Sequence, residues 1–145
     1  MTTETDWPVI VRRAADGKLA QDITVGGHVI RADEPTPLGD ASGPTPHQLL
    51  LSALGACTAM TLKLYAERKK WDVGALTVRL RIRWEPMEKG GERRAIIERS
   101  IDSDRALTAE QQARLVEIAD KCPVHRTLMG EKTITTRLAA PVAEI

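Results

Sequence analysis

The chain has 145 residues, a mass of 15.9 kDa and 42% hydrophobic residues, which suits one domain, read here as residues 1–145, with a modest packed core. Lys and Arg total 21 against 20 Asp and Glu, so no whole-protein field favours nucleic acid or an anionic membrane. Aromatic residues are only 3%, too few to offer stacking platforms to a single strand, and the core must be aliphatic.

The amino end, MTTETDWPVIVRR, has no basic start followed by an apolar stretch, and no uninterrupted apolar run reaches about 18 residues. A cytoplasmic protein with no membrane partner is expected. Trp7–Arg13 is rich in β-branched residues; after the turn-like Ala15-Asp16-Gly17, a second strand is expected over Lys18–Val25. Gly26-Gly27 separates it from a third, His28–Ala32.

Residues 35–46, PTPLGDASGPTP, hold four prolines and two glycines and exclude regular structure. A loop of this length is a candidate wall for a site. His47–Trp71 then reads as a helix, with Thr45 as N-cap and Pro46 in the first turn. Leu49–Met60 is apolar or small on nearly every side, so burial all round is expected, with a second copy of the chain supplying the cover.

Leu76–Trp84 alternates apolar and polar residues and is expected to pair with Arg94–Ile101. Arg79, Arg81 and Arg83 then share a solvent face, where Glu98 and Asp102 can neutralise part of the row rather than leave an anion-binding stripe. Thr108 and Gln111 form a capping-box pattern opening a second helix that runs to Lys121. A short turn, a stop at Gly130 and a last strand over Thr133–Leu138 complete the chain.

The candidate chemistry rests on Cys57 and Cys122, 122 − 57 = 65 positions apart. Two thiols in a reducing compartment are no disulfide framework, so each needs a purpose. Pro123 at a first helical position makes Cys122 an N-cap, where free N–H groups favour a thiolate and Lys121, His125 and Arg126 add positive charge. Cys57 lies ten residues into its helix (57 − 47), beyond the reach of the dipole, and would need a cation from Arg31, Arg13 or His47. A zinc site from Cys57, Cys122, His125 and either His28 or His47 would need three separate segments, and no metal is expected. The serines lie in no nucleophile-elbow context, and there is no glycine-rich phosphate or dinucleotide loop.

The stretch GPTPHQLLLSALGACTAMTLKLYAERKKW (43–71), DKCPVHRTL (120–128) and the ADEP element (32–35) together resemble the osmotically inducible protein C (OsmC) family, which includes the organic hydroperoxide resistance proteins. The resemblance implies an α+β fold, antiparallel sheets wrapped around a long central helix, in an intertwined homodimer with active sites at the subunit interface. It implies that Cys57 is the peroxidatic nucleophile, held as thiolate by an arginine, and that Cys122 resolves it as a disulfide. This reverses the order of acidity suggested by local context. Arg31 matches the arginine by region, with Asp33 or Glu34 as orienting groups, and His47 stands where the peroxidase branches carry a glutamate.

The expected function is reduction of organic hydroperoxides to alcohols, with a dithiol or lipoyl-type reductant resetting the Cys57–Cys122 disulfide and no bound cofactor. Leu50, Leu54 and Met60 would form an apolar mouth for the substrate. The alternative, favoured by His47, is a non-enzymatic, redox-responsive binder of small apolar or electrophilic molecules.

Overall fold

The structure is a computed structural model that describes residues 6–88 and 90–139, so both ends of the expected 1–145 domain lie outside the described residues. Pro8 lacks the N–H a ladder needs, and the first strand, β1 (Val9–Arg13), starts just after it. With β2 (Gln21–Val25) and β3 (His28–Ala32) it forms an antiparallel sheet in the order β1-β2-β3. Gly26 and Gly27 alone join β2 to β3, at φ of 53° and 80°, the left-handed pair that a tight two-residue hairpin demands.

β2 begins later than Lys18 because that residue is committed elsewhere. Its backbone N–H donates to Asp40 Oδ2 at 2.9 Å and its ammonium to the Pro37 carbonyl at 3.2 Å. The register pairs Val9 with Val25, Val11 with Ile23 and Ile23 with Ile30, which collects these apolar residues on one face. Arg12, Asp22 and Arg31 lie in a row across the other. On the apolar face Val9, Val11 and Ile30 are exposed, while Ile23 and Val25 are half-buried.

The long helix α1 (Pro46–Lys69) matches its expected span closely. Thr45 and Gln48 close a reciprocal box at its start: the Gln48 N–H donates to Thr45 Oγ1 at 3.2 Å and the Thr45 N–H to Gln48 Oε1 at 2.9 Å. It stops before Trp71 because Lys70 turns left-handed, φ 56°, and the Trp71 N–H reaches back to the Ala66 carbonyl at 2.9 Å. Burial all round is not what the single chain provides. Leu54 and Leu62 are buried, but Leu50, Met60 and Leu64 are exposed, because no other element among the described residues covers those sides. By length and composition α1 could also cross a bilayer, since Lys63 alone interrupts its apolar run before Glu67; the core helix of a soluble protein meets the same test.

The hairpin of β4 (Leu76–Pro86) and β5 (Arg93–Ser103) closes with the Met87 N–H donating to the Glu92 carbonyl at 2.9 Å. Its arginine row is neutralised as expected. Arg79 pairs with Asp102 and Arg81 with Glu98, while Arg83 meets both Glu85 and Glu98. Helix α2 (Ala109–Ala119) has the complete Thr108–Gln111 capping box and buries Leu115, Ile118 and Ala119. Helix α3 (Pro123–Met129) follows and ends at Gly130. The strand expected over Thr133–Leu138 is absent. A strand needs a neighbour to accept its ladder, and this segment has none among the described residues, leaving Ile134 and Leu138 almost fully exposed.

Two compact units result: one from the described residues up to Ala56 with Thr77–Asp102, the other from Cys57–Leu76 with the described residues from Ser103 onward. The second has its own core of Leu62, Tyr65, Val73, Leu115 and Ile118. Tyr65 anchors it, meeting Trp71 edge to face at 5.7 Å and accepting a hydrogen bond from Arg114 Nε at 2.9 Å.

Candidate active site

Both candidate thiols belong to the second unit, and no disulfide joins them. Cys57 sits half-buried on α1, and Cys122 is fully buried. Cys122 takes the N-cap position that Pro123 predicted. Its extended backbone (φ −64°, ψ 142°) turns the side chain back over the first turn of α3, where Sγ accepts the His125 N–H at 3.2 Å. His125 Nδ1 lies 3.9 Å from Asp120 Oδ1, an ion pair only when the imidazole is protonated.

Thr58 was not singled out from the sequence. Its side chain is fully buried, and Oγ1 lies 3.9 Å from Cys122 Sγ, within reach of a weak hydrogen bond to sulfur. The residue that follows Cys57 along α1 is therefore the one whose hydroxyl meets the second thiol. The available signal was a hydroxyl inside an otherwise apolar stretch, which needs a partner once buried.

Arg31 belongs to the first unit. Its guanidinium grips Asp16 with two hydrogen bonds, 2.8 and 3.1 Å, and its Nε donates to Asp22 Oδ1 at 3.3 Å. These bonds raise its pKa further and lower that of Asp16. The expected orienting groups, Asp33 and Glu34, are thus replaced by Asp16 and Asp22. Register explains half of this, since Asp22 is the cross-strand partner of Arg31 on the polar face; the other half comes from a turn 15 positions earlier.

Asp33 has a different task. Its buried carboxylate accepts the N–H groups of Glu34 (2.8 Å), Asp40 (3.2 Å) and Ser42 (3.0 Å) and the Ser42 hydroxyl (2.6 Å). Those bonds, the Ser42 hydroxyl foremost, hold its pKa down at about 2. They fold the proline-rich 35–46 loop onto the end of β3, where Asp33 N–H also donates to the Pro44 carbonyl at 3.0 Å. The loop approaches so closely that a methyl group on Gly43 would lie 2.4 Å from the Arg31 carbonyl oxygen.

The remaining candidates are dispersed. His47 is exposed and stands edge-on to the Trp84 ring at 5.7 Å. Of the three residues expected to form an apolar mouth, Leu54 is only 4% exposed and serves as core, Leu50 is 38% exposed and Met60 is 66% exposed. Met60 borders a cavity of about 450 Å³ that includes Ala59, Lys63, Trp71 and Leu76. Among the described residues no group of three or more histidine, cysteine or acidic side chains could hold a metal ion.

Residues 39–137 match the family described as OsmC-like protein. Among solved structures, a Psychrobacter arcticus protein ascribed an osmotic-stress and detoxification role superposes with a TM-score of 0.69 at 19% identity, covering 83% of this chain and 86% of that one. An OsmC-like protein of Mycoplasma pneumoniae gives 0.66 at 22% identity, covering 84% and 86%. The organic hydroperoxide resistance protein OhrB of Bacillus subtilis gives 0.63 at 21% identity, covering 84% and 89%. At these identities the likeness shows the α+β fold, with its antiparallel sheets and long helix. No curated protein sequence matches the chain.

Proposed function

The chain belongs to the OsmC-like protein family, and on that premise we propose that it is a thiol peroxidase acting on organic hydroperoxides. Cys57 attacks the O–O bond as thiolate, the alkoxide leaves and takes a proton as the alcohol, and Cys57 becomes a sulfenic acid. Cys122 then condenses with it to a disulfide, and an external dithiol of lipoyl type returns both thiols without a bound cofactor. The observation that carries this reading is the thiol arrangement: a half-buried Cys57 beside a buried residue whose hydroxyl reaches the capped thiol of Cys122.

In this reading Arg31 is the cation for Cys57 and His47 an accessory group, with the exposed Leu50 and Met60 as the apolar approach and Leu54 in the core. A homodimer belongs to the same reading, supported by the uncovered Val9, Val11 and Ile30 of the sheet and by Met60 and Leu64 on α1. The test is steady-state turnover of cumene hydroperoxide with dihydrolipoamide. Multiple turnovers that vanish in Cys57→Ser support the peroxidase, and a single oxidation without cycling refutes it. One observation favours the second reading, a redox-responsive binder: the Arg31 guanidinium is already held by Asp16 and Asp22.

A further inference from the structure

Condensation of a sulfenic acid with a thiol has a proton problem that the two cysteines do not solve between them. As Cys122 Sγ bonds to Cys57 Sγ, the S–O bond of the sulfenic acid breaks and its electron pair leaves with oxygen. The departing hydroxide needs a proton, and the attacking thiol must lose one. Cys122 is fully buried, so bulk water is not at hand to take its proton. Its immediate polar surroundings include the His125 backbone N–H, which can only donate, and the Thr58 hydroxyl 3.9 Å away. A hydroxyl both accepts and donates, and this one is carried by the residue adjoining Cys57.

We propose that Thr58 is a further catalytic residue of the disulfide-forming step, its hydroxyl accepting the Cys122 proton while giving its own to the hydroxide expelled from Cys57. The balance is Cys57–SOH plus Cys122–SH going to the disulfide plus water; the Cys122 sulfur is oxidised, the Cys57 sulfur is reduced, and Thr58 ends as it began. Successive residues on a helix point about 100° apart, in keeping with a Thr58 that is buried against Cys122 and a Cys57 that is only half-buried; to form the disulfide Cys57 Sγ must come to Cys122 Sγ, which brings the departing oxygen to the Thr58 hydroxyl. The inference rests on the peroxidase reading above and adds a residue to its second half only.

The experiment separates the two halves. Reduced wild type, Thr58→Val and Thr58→Ser are mixed with one equivalent of cumene hydroperoxide, quenched over a time course and resolved by intact mass into sulfenic acid and disulfide. Thr58→Val should form the sulfenic acid at nearly the wild-type rate but the disulfide about a hundredfold more slowly, the usual scale of a lost proton relay. Its disulfide step should also acquire a dependence on pH, rising about tenfold per unit below the thiol pKa because a thiolate must form first. Thr58→Ser, which keeps the hydroxyl, should stay close to wild type in rate and pH profile. A purely structural role would slow the disulfide step of Thr58→Val without changing its pH profile. Disulfide formation in Thr58→Val at the wild-type rate, or an equal loss in Thr58→Ser, overturns the assignment while leaving the peroxidase standing. If wild-type Cys57 forms no sulfenic acid at all, the functional reading fails and this inference falls with it.

Discussion

The sharpest structural prediction concerns Gly43, whose backbone lies against the end of β3. A Cβ there would sit 2.4 Å from the Arg31 carbonyl oxygen and 2.8 Å from its carbon, about 1 Å inside ordinary contact distance. Both sides of the contact are backbone, so no side-chain rotation relieves it. The loop cannot simply retreat either, because the Asp33 N–H to Pro44 carbonyl bond and the Ser42 bonds to Asp33 fix it on both flanks. Overpacking at such a point costs about 1–3 kcal/mol. With a urea dependence of about 2 kcal/mol per molar, Gly43→Ala should lower the unfolding midpoint by about 1 M without changing the slope. The assay is urea titration followed by circular dichroism. A midpoint within about 0.2 M of wild type would show that the loop yields freely and is no rigid support.

Three further outcomes follow from the same geometry. Removing the cap hydroxyl with Thr108→Ala should cost about 1 kcal/mol in urea unfolding, since the reciprocal box at α2 is complete; no change would mean that the box contributes nothing. Asp33 titrates at about 2 when folded and about 3.9 when unfolded, so between these values the unfolded state binds more protons. Its stabilisation is therefore full above about pH 4 and lost as pH falls toward 2, and Asp33→Asn should flatten that acid slope of the urea midpoint; an unchanged slope contradicts the assignment. Cys122→Ser keeps an N-cap oxygen for α3 and should unfold within about 1 kcal/mol of wild type. Yet under excess hydroperoxide its Cys57 should pass to sulfinic acid, a gain of two oxygens by mass; resistance to over-oxidation would deny Cys122 the resolving role.

Elements whose signals are local were legible in the sequence. The Gly-Gly hairpin, the Thr45 and Thr108 boxes, the α1 span and the Cys122 cap all depend on residues within a turn of one another. What failed depends on tertiary placement. Thr133–Leu138 has strand composition but no ladder partner among the described residues, and composition cannot supply one. Arg31 was matched to nearby acids, whereas the sheet register and a distant turn present Asp22 and Asp16 instead. Thr58 is a lone hydroxyl in an apolar helix, and only the tertiary placement of α3 sets Cys122 beside it.

The central claim, that Cys57 and Cys122 form one redox pair, is tested most directly by mixing fully reduced protein with one equivalent of cumene hydroperoxide and measuring the intact mass. Wild type should lose two hydrogens as the disulfide closes, Cys122→Ser should gain oxygen on Cys57, and Cys57→Ser should not react rapidly. Wild-type protein that keeps both thiols under these conditions would contradict the account.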